Sequence, residues 1–143
     1  MSELQQLAKG ISEVDEEVRQ GLEFDFQPLP GDVDVMQVTI KEREEMPVYM
    51  TMADNQLLCI CYLWDESQVN ADKKHEMSDA MLRMNVPMPL SSFAIIPSEE
   101  RGDQYAIFGA MSLNSSSEDI ALELATLSDN AIDAIEVMSE YLI

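Results

Sequence analysis

Gln56–Trp64, which reads Gln-Leu-Leu-Cys-Ile-Cys-Tyr-Leu-Trp, is the stretch of sequence from which we predict the fold. Eight apolar or aromatic residues follow one another between polar residues, a length typical of a strand and too short for a buried helix. Alternation places Leu57, Cys59, Cys61 and Leu63 on one face, and Leu58, Ile60, Tyr62 and Trp64 on the other. We therefore expect an inner strand of a sheet that is covered on both faces.

The composition indicates one acidic globular domain. The chain has 143 residues, with 28 acidic and 8 basic side chains and a formal net charge of −20. Such a charge repels nucleic acids and anionic membranes, whereas it attracts basic partners. Hydrophobic residues make up 46% of the chain and occur in periodic blocks, which argues against disorder.

The cysteines and the lack of targeting signals predict a cytoplasmic protein. Cys59 and Cys61 lie two residues apart in one strand, a geometry that does not suit a disulfide. Free thiols suit a reducing compartment. The amino terminus has no basic-then-apolar signal and no apolar run approaches about 18 residues, so we expect neither export nor membrane insertion.

Hydrophobic periodicity predicts a single α+β domain over residues 1–143, with the order α-β-β-β-α-β-β-α and an antiparallel sheet packed by helices. The predicted elements are a helix over residues 1–20, a three-strand meander over 35–64, a helix over 70–85, a hairpin over 91–111 and a long helix over 116–142. Ser115–Glu118 reads as the capping box of the last helix. Phe24 and Phe26 alternate like a further short strand, which Pro28 and Pro30 then interrupt.

Candidate catalytic groups are few, and we expect no enzyme activity, cofactor or metal. His75 is the only histidine and stands at a helix start, where a solvated side chain is the usual case. Cys59 and Cys61 lack the two-residue spacing of redox and zinc motifs, so core packing is favoured over nucleophilic catalysis. The five glycines are scattered and form no phosphate-binding loop.

Two features of the sequence favour a protein-binding surface. Asp129, Asp133, Glu136 and Glu140 form a predicted acidic stripe on the last helix, which reads either as a solvated face or as a dock for a basic helix. The chain also has 11 methionines, which fill irregular cores and make adaptable contacts at binding surfaces. We assign Trp64, Met50 and Met52 to apolar contacts with a partner. Because three helices cover two sheet faces poorly, we also expect a homodimer.

Three stretches carry a family resemblance: Leu57 to Val69 (LLCICYLWDESQV), Met81 to Ile96 (MLRMNVPMPLSSFAII) and Tyr105 to Met138. Together they resemble the YjfI-like family of bacterial proteins, a domain of unknown function. This resemblance implies no catalytic residues. It does imply a gene neighbourhood, because members are often encoded beside a phage-shock-protein-A-like coiled-coil protein that guards the inner membrane. The element order and charge are also similar to class I type III secretion chaperones and YbjN-like proteins.

These observations lead to one preferred hypothesis and two rivals. The preferred hypothesis is a non-enzymatic, cytoplasmic, chaperone-like homodimer that binds a basic or coiled-coil helical partner in an envelope-stress response. The first rival is an acidic regulator that sequesters a basic DNA-binding protein. The second is a cysteine-dependent enzyme, which requires an exposed and reactive thiol.

Overall fold

A computed structural model describes residues 2–143 and shows a six-stranded antiparallel sheet with its core on one face. The helices are α1 (Glu3–Ser12), α2 (Lys74–Asn85) and α3 (Ser117–Val137). The strands are β1 (Phe24–Leu29), β2 (Val35–Ile40), β3 (Val48–Ala53), β4 (Gln56–Asp65), β5 (Ser92–Ser98) and β6 (Gly102–Ser112). Their order across the sheet is β1-β2-β3-β4-β6-β5. The predicted α+β class is confirmed, and β4 is an inner strand as expected.

The core lies between one face of the sheet and the three helices. A row of buried residues crosses five neighbouring strands in register: Val38, Val48, Cys61, Ile107 and Phe93. The helices contribute Leu4, Ile11, Met77, Met81, Ile120 and Leu124 to the same cluster. Every second residue of the strands and every third or fourth residue of the helices is apolar, and these side chains pack together in a single layer.

A bulge in β4 reverses the predicted direction of Trp64. Tyr62 pairs with Ala106 and Trp64 pairs with Tyr105, so β4 advances two residues while β6 advances one. Leu63 is the extra residue. Trp64 is 5% exposed and its ring stacks on that of Tyr105, with 6.0 Å between the centroids. The prediction that Trp64 shares a face with Tyr62 is wrong, because strict alternation does not hold through a bulge.

The first helix is shorter than predicted, since it ends at Ser12 rather than near residue 20. Glu13 caps it, and its N–H donates to the carbonyls of Gly10 and Ile11. Continuation would add Asp15, Glu16 and Glu17 at the negative end of the helix dipole. These acids instead lie in turns that lead to β1.

The meander has four strands rather than the three predicted over 35–64. β1 pairs with β2 from Phe24 opposite Ile40 to Leu29 opposite Val35. Pro28 is tolerated because β1 is an edge strand, where a missing N–H need not break a ladder on both sides. The order is therefore α-β-β-β-β-α-β-β-α.

The last helix also differs from its predicted bounds. Ser116, not Ser115, is the N-cap, and its hydroxyl accepts a hydrogen bond from the Asp119 N–H. The helix ends at Val137, and a short 3-10 turn follows at Ser139–Tyr141. The chain then runs extended beside the segment after β4, where Asn70 N–H donates to the Tyr141 carbonyl.

Candidate protein-binding surface

The sheet face opposite the core is not covered by any helix within residues 2–143. Its centre is apolar, because Tyr49, Ile60 and Phe108 lie opposite one another on β3, β4 and β6, with Leu58 beside them. Their side chains are half-buried by their neighbours in the sheet. Within residues 2–143 of one chain, β4 is therefore covered by helices on one face only, and its cover on the other face stays a prediction. An apolar sheet face that meets solvent is typical of a binding surface.

A groove, here called the rim groove, crosses the end of this face where β4 bulges. Its upper part is a cavity of about 430 Å³ lined by Glu45, Pro47, Tyr49, Tyr62, Arg101 and Gln104. Its lower part is a cavity of about 640 Å³ that reaches α3, where Met46, Leu63, Ile132 and Ile135 form the apolar lining. Tyr62 and Glu45 line both parts, so the two cavities are adjacent. Leu63, the extra residue of the bulge, lines the lower part, and Tyr62 beside it is 38% exposed.

Two acids, Glu42 and Glu45, and two arginines, Arg43 and Arg101, line the rim groove. Arg43 is neutralised, since its Nη1 donates to Asp129 Oδ1 at 2.8 Å and to Ser128 Oγ at 2.9 Å. Glu42 and Glu45 line the lower part and are exposed. The Glu42 N–H donates to the Glu44 carboxylate, and backbone hydrogen bonds lower the pKa of Glu44, so this acid stays ionised at neutral pH.

Aromatic rings stand beside these carboxylates. Tyr49 and Tyr62 meet edge to face, with 6.0 Å between their ring centroids. The faces of aromatic rings attract the cationic groups of Lys and Arg side chains. The apolar lining of the groove attracts the aliphatic parts of the same side chains. The rim groove can therefore hold a segment that is both basic and apolar.

The acidic stripe predicted on the last helix is only partly free. Asp129 is taken by Arg43, and the other three carboxylates are exposed. Glu140 lies in the 3-10 turn beyond α3 rather than on the helix. Three acids, Asp133, Glu136 and Glu140, thus remain available for steering a basic partner.

The apolar contact residues predicted from the sequence are mostly inaccessible. Met50 faces the helices and is fully buried, and Trp64 is buried by the bulge. Both assignments to partner contact are corrected, since neither side chain reaches the surface. Met52 is half-buried against the core. Sequence reasoning missed Tyr62, Glu45 and Ile132, whose proximity depends on a turn, a bulge and a helix that are distant in the chain.

The groups considered for catalysis do not converge. Cys59 and Cys61 are buried; burial raises the pKa of each thiol to about 12, and the nearby Glu123 carboxylate adds to the effect at Cys59. His75 is exposed at the start of α2. Across residues 2–143, no three His, Cys, Asp or Glu side chains are grouped to hold a metal ion. No helix in the same range has the length and apolar character needed to span a membrane.

Comparison with solved structures defines the class of fold. YbjN from Escherichia coli superposes with a TM-score of 0.64 at 10% identity, over 98% of this chain and 92% of that chain. A chain in the ExsC–ExsE complex superposes with a TM-score of 0.62 at 13% identity, over 95% of this chain and 96% of that chain. The similarity of fold to YbjN-like proteins and secretion chaperones, expected from the element order, is confirmed.

The family follows from sequence. The chain belongs to DUF2170, described as an uncharacterised protein conserved in bacteria, whose family model matches residues 1–142. YjfI of Escherichia coli K12 is 32% identical over 104 residues, which cover 73% of this chain and 76% of YjfI. The resemblance to the YjfI-like family is therefore confirmed.

Proposed function

We propose that this protein is a non-enzymatic adaptor that binds a basic, amphipathic segment of a protein partner at the rim groove. The observation that carries the proposal is the apolar lining beneath the exposed acids Glu42 and Glu45. Burial of apolar side chains would supply affinity, at roughly 25 cal/mol per Å² of buried area. The acids of the groove and the net charge of −20 would steer the partner toward it.

The particular partner is part of the same proposal. The resemblance to the YjfI-like family implies a gene neighbour of the phage-shock-protein-A type, a coiled-coil protein of the envelope-stress response. The ExsC–ExsE complex supports protein binding by this fold, since it is an assembly of two proteins. We place the adaptor in the cytoplasm, where two free buried thiols remain reduced, and we propose that it works as a homodimer.

Binding of the purified coiled-coil neighbour, measured by fluorescence anisotropy at about 50 and 300 mM NaCl, tests the function. We expect binding that weakens as salt rises. Replacement of both groove acids, E42Q/E45Q, should weaken it by about 2- to 30-fold, because each exposed ion pair contributes about 0.2–1 kcal/mol. The matched control E13Q/E16Q removes the same charge from exposed positions after α1 and should leave affinity within about twofold.

Two outcomes would contradict the proposal. If E13Q/E16Q weakens binding as much as E42Q/E45Q, net charge and not the groove determines affinity. If the neighbour does not bind at either salt concentration, this partner is wrong. Competition by duplex DNA for a basic protein recovered from cytosol would instead favour the acidic regulator that sequesters a DNA-binding protein.

A further inference from the structure

Exposed apolar side chains concentrate on a second surface, away from the rim groove. Four large ones lie between residues 77 and 98: Leu82, Val86, Leu90 and Ile95. Val86 is 92% exposed and Leu82 is 70% exposed. We call the surface formed by residues 77–98, which include most of α2, the turn after it and β5, the neutral face. Apolar residues clustered in this way are costly in water unless another surface covers them.

The neutral face contains two apolar grooves. The first, about 260 Å³, lies between Met81 and Leu82 of α2 and the consecutive residues Phe93, Ala94 and Ile95 of β5. Since neighbouring strand residues point to opposite faces, three in a row line one groove only along the open edge of a strand. The second groove, about 210 Å³, shares Phe93 and continues to α3 at Val137. The two grooves are therefore adjacent.

The edge of β5 is a poor template for an added strand, which disfavours one kind of occupant. β5 pairs with β6 alone. The Phe93 N–H points away from β6, because it donates to Asn85 Oδ1 at 2.7 Å. Ile95 and Pro97 point their backbone groups the same way, and Pro97 has no N–H. Of the donors at this edge only the Ile95 N–H remains, so an added strand would form fewer hydrogen bonds than a full ladder, and we expect the occupant to pack mainly through side chains.

The charge of the neutral face selects among the remaining occupants. Residues 77–98 contain only two charged side chains, Asp79 and Arg83, which pair with each other at 2.8 Å. Removal of this pair leaves 27 acidic and 7 basic residues in the rest of the chain. In the second groove α3 adds one carboxylate, Asp133, which is exposed. A basic segment would gain little electrostatic attraction at the neutral face. A strongly acidic molecule can bind there without placing its own carboxylates against those of this chain.

From these observations we infer that the neutral face is the interface between two copies of this chain. A two-fold axis would place α2 of one copy beside α2 of the other, with Leu82 and Val86 of each packing against the apolar grooves of its partner. The inference rests on the homodimer of the proposed function and adds its location. Within residues 2–143, no residue lines both these apolar grooves and the rim groove, so we expect the rim groove of each copy to stay open in the dimer.

Sedimentation velocity of the full chain tests the interface. The wild type should sediment as twice 16.1 kDa at about 50 µM. Leu82→Glu and Val86→Glu each place a carboxylate against its symmetry copy and should weaken the dimer by about 100-fold or more, which gives a monomer. Leu122→Glu is the control, since Leu122 is an exposed apolar residue of α3 outside the neutral face, and it should remain dimeric.

The fold of each variant is checked by circular dichroism, and Val86→Glu guards against misfolding because this side chain is almost fully exposed. A wild-type monomer would overturn the inference. A dimer that persists in both variants would also overturn it, while the homodimer itself would stand. Partner binding at the rim groove is scored separately with Val86→Glu, so failure of the interface and failure of the adaptor function give different results.

Discussion

Replacement of Gly109 by alanine probes the closest approach between the sheet and α3. Gly109 lies on the core face of β6, opposite Cys59. A Cβ at this position would stand 2.6 Å from Glu123 Oε1 and 3.2 Å from the backbone oxygen of Leu90. The Glu123 side chain is 7% exposed, so it is confined between the helix and the sheet. We therefore expect Gly109→Ala to overpack the core.

The size of the effect follows from these distances. Ordinary van der Waals contact begins at 3.4 Å, so the Glu123 carboxylate must move back by about 0.8 Å and the Leu90 carbonyl by a few tenths of an ångström. Strain of this kind costs about 1–3 kcal/mol. With a urea m-value of about 2 kcal/mol/M, the unfolding midpoint should fall by about 0.5–1.5 M.

Urea unfolding followed by Trp64 fluorescence measures the change, since Trp64 is the single tryptophan and is buried. In a Glu123→Ala background the obstructing carboxylate is gone, and Gly109→Ala should cost at least about 1 kcal/mol less. Ala110→Ser is the control on the open face and should change stability by less than about 0.5 kcal/mol. An equal cost of Gly109→Ala in both backgrounds would refute the reasoning.

Two further predictions concern buried ionisable groups. Cys59 and Cys61 should resist a disulfide reagent in the native protein and both react in urea, because their raised pKa and burial leave almost no accessible thiolate; rapid native labelling would revive the cysteine-dependent enzyme. Burial also raises the pKa of Glu123, so the folded state binds more protons and wild-type stability falls as pH rises above the unfolded carboxyl pKa of about 4.3. Glu123→Gln should thus gain stability relative to wild type at pH 7 but not at pH 4, as thermal melts would show, and an equal difference at both pH values would contradict this.

Local sequence patterns predicted most of the elements. The apolar run 56–64 predicts β4, and the sequence pattern predicts β2, β3, β5 and β6. Alternate residues of a strand face the core, so the apolar or polar character of successive residues shows the strand directly. The local pattern does not decide β1, since Pro28 reads as a strand breaker unless the strand is known to lie at a sheet edge. The sequence does not predict the end of α1, because the apolar spacing of a helix continues beyond Ser12. The acids after Ser12 disfavour a longer helix, but their effect does not appear in the hydrophobic periodicity.

The candidate site depends on contacts that no local pattern encodes. The sequence showed acids on the last helix, but only the tertiary structure brings Arg43 to Asp129 and removes that acid from the stripe. Methionines and Trp64 are apolar wherever they stand, and a one-residue bulge decided that Trp64 is buried while Tyr62 is exposed.

The sequence by itself therefore determined the α+β class, the family and the acidic character of this protein. Tertiary structure decided which sheet face is covered, where the rim groove opens and that the charge-poor stretch 77–98 lines two adjacent apolar grooves. The physical reason is the separation along the chain of the residues that must interact. Periodicity and charge belong to each segment alone, whereas a groove or an interface requires segments that are far apart in the chain to pack together.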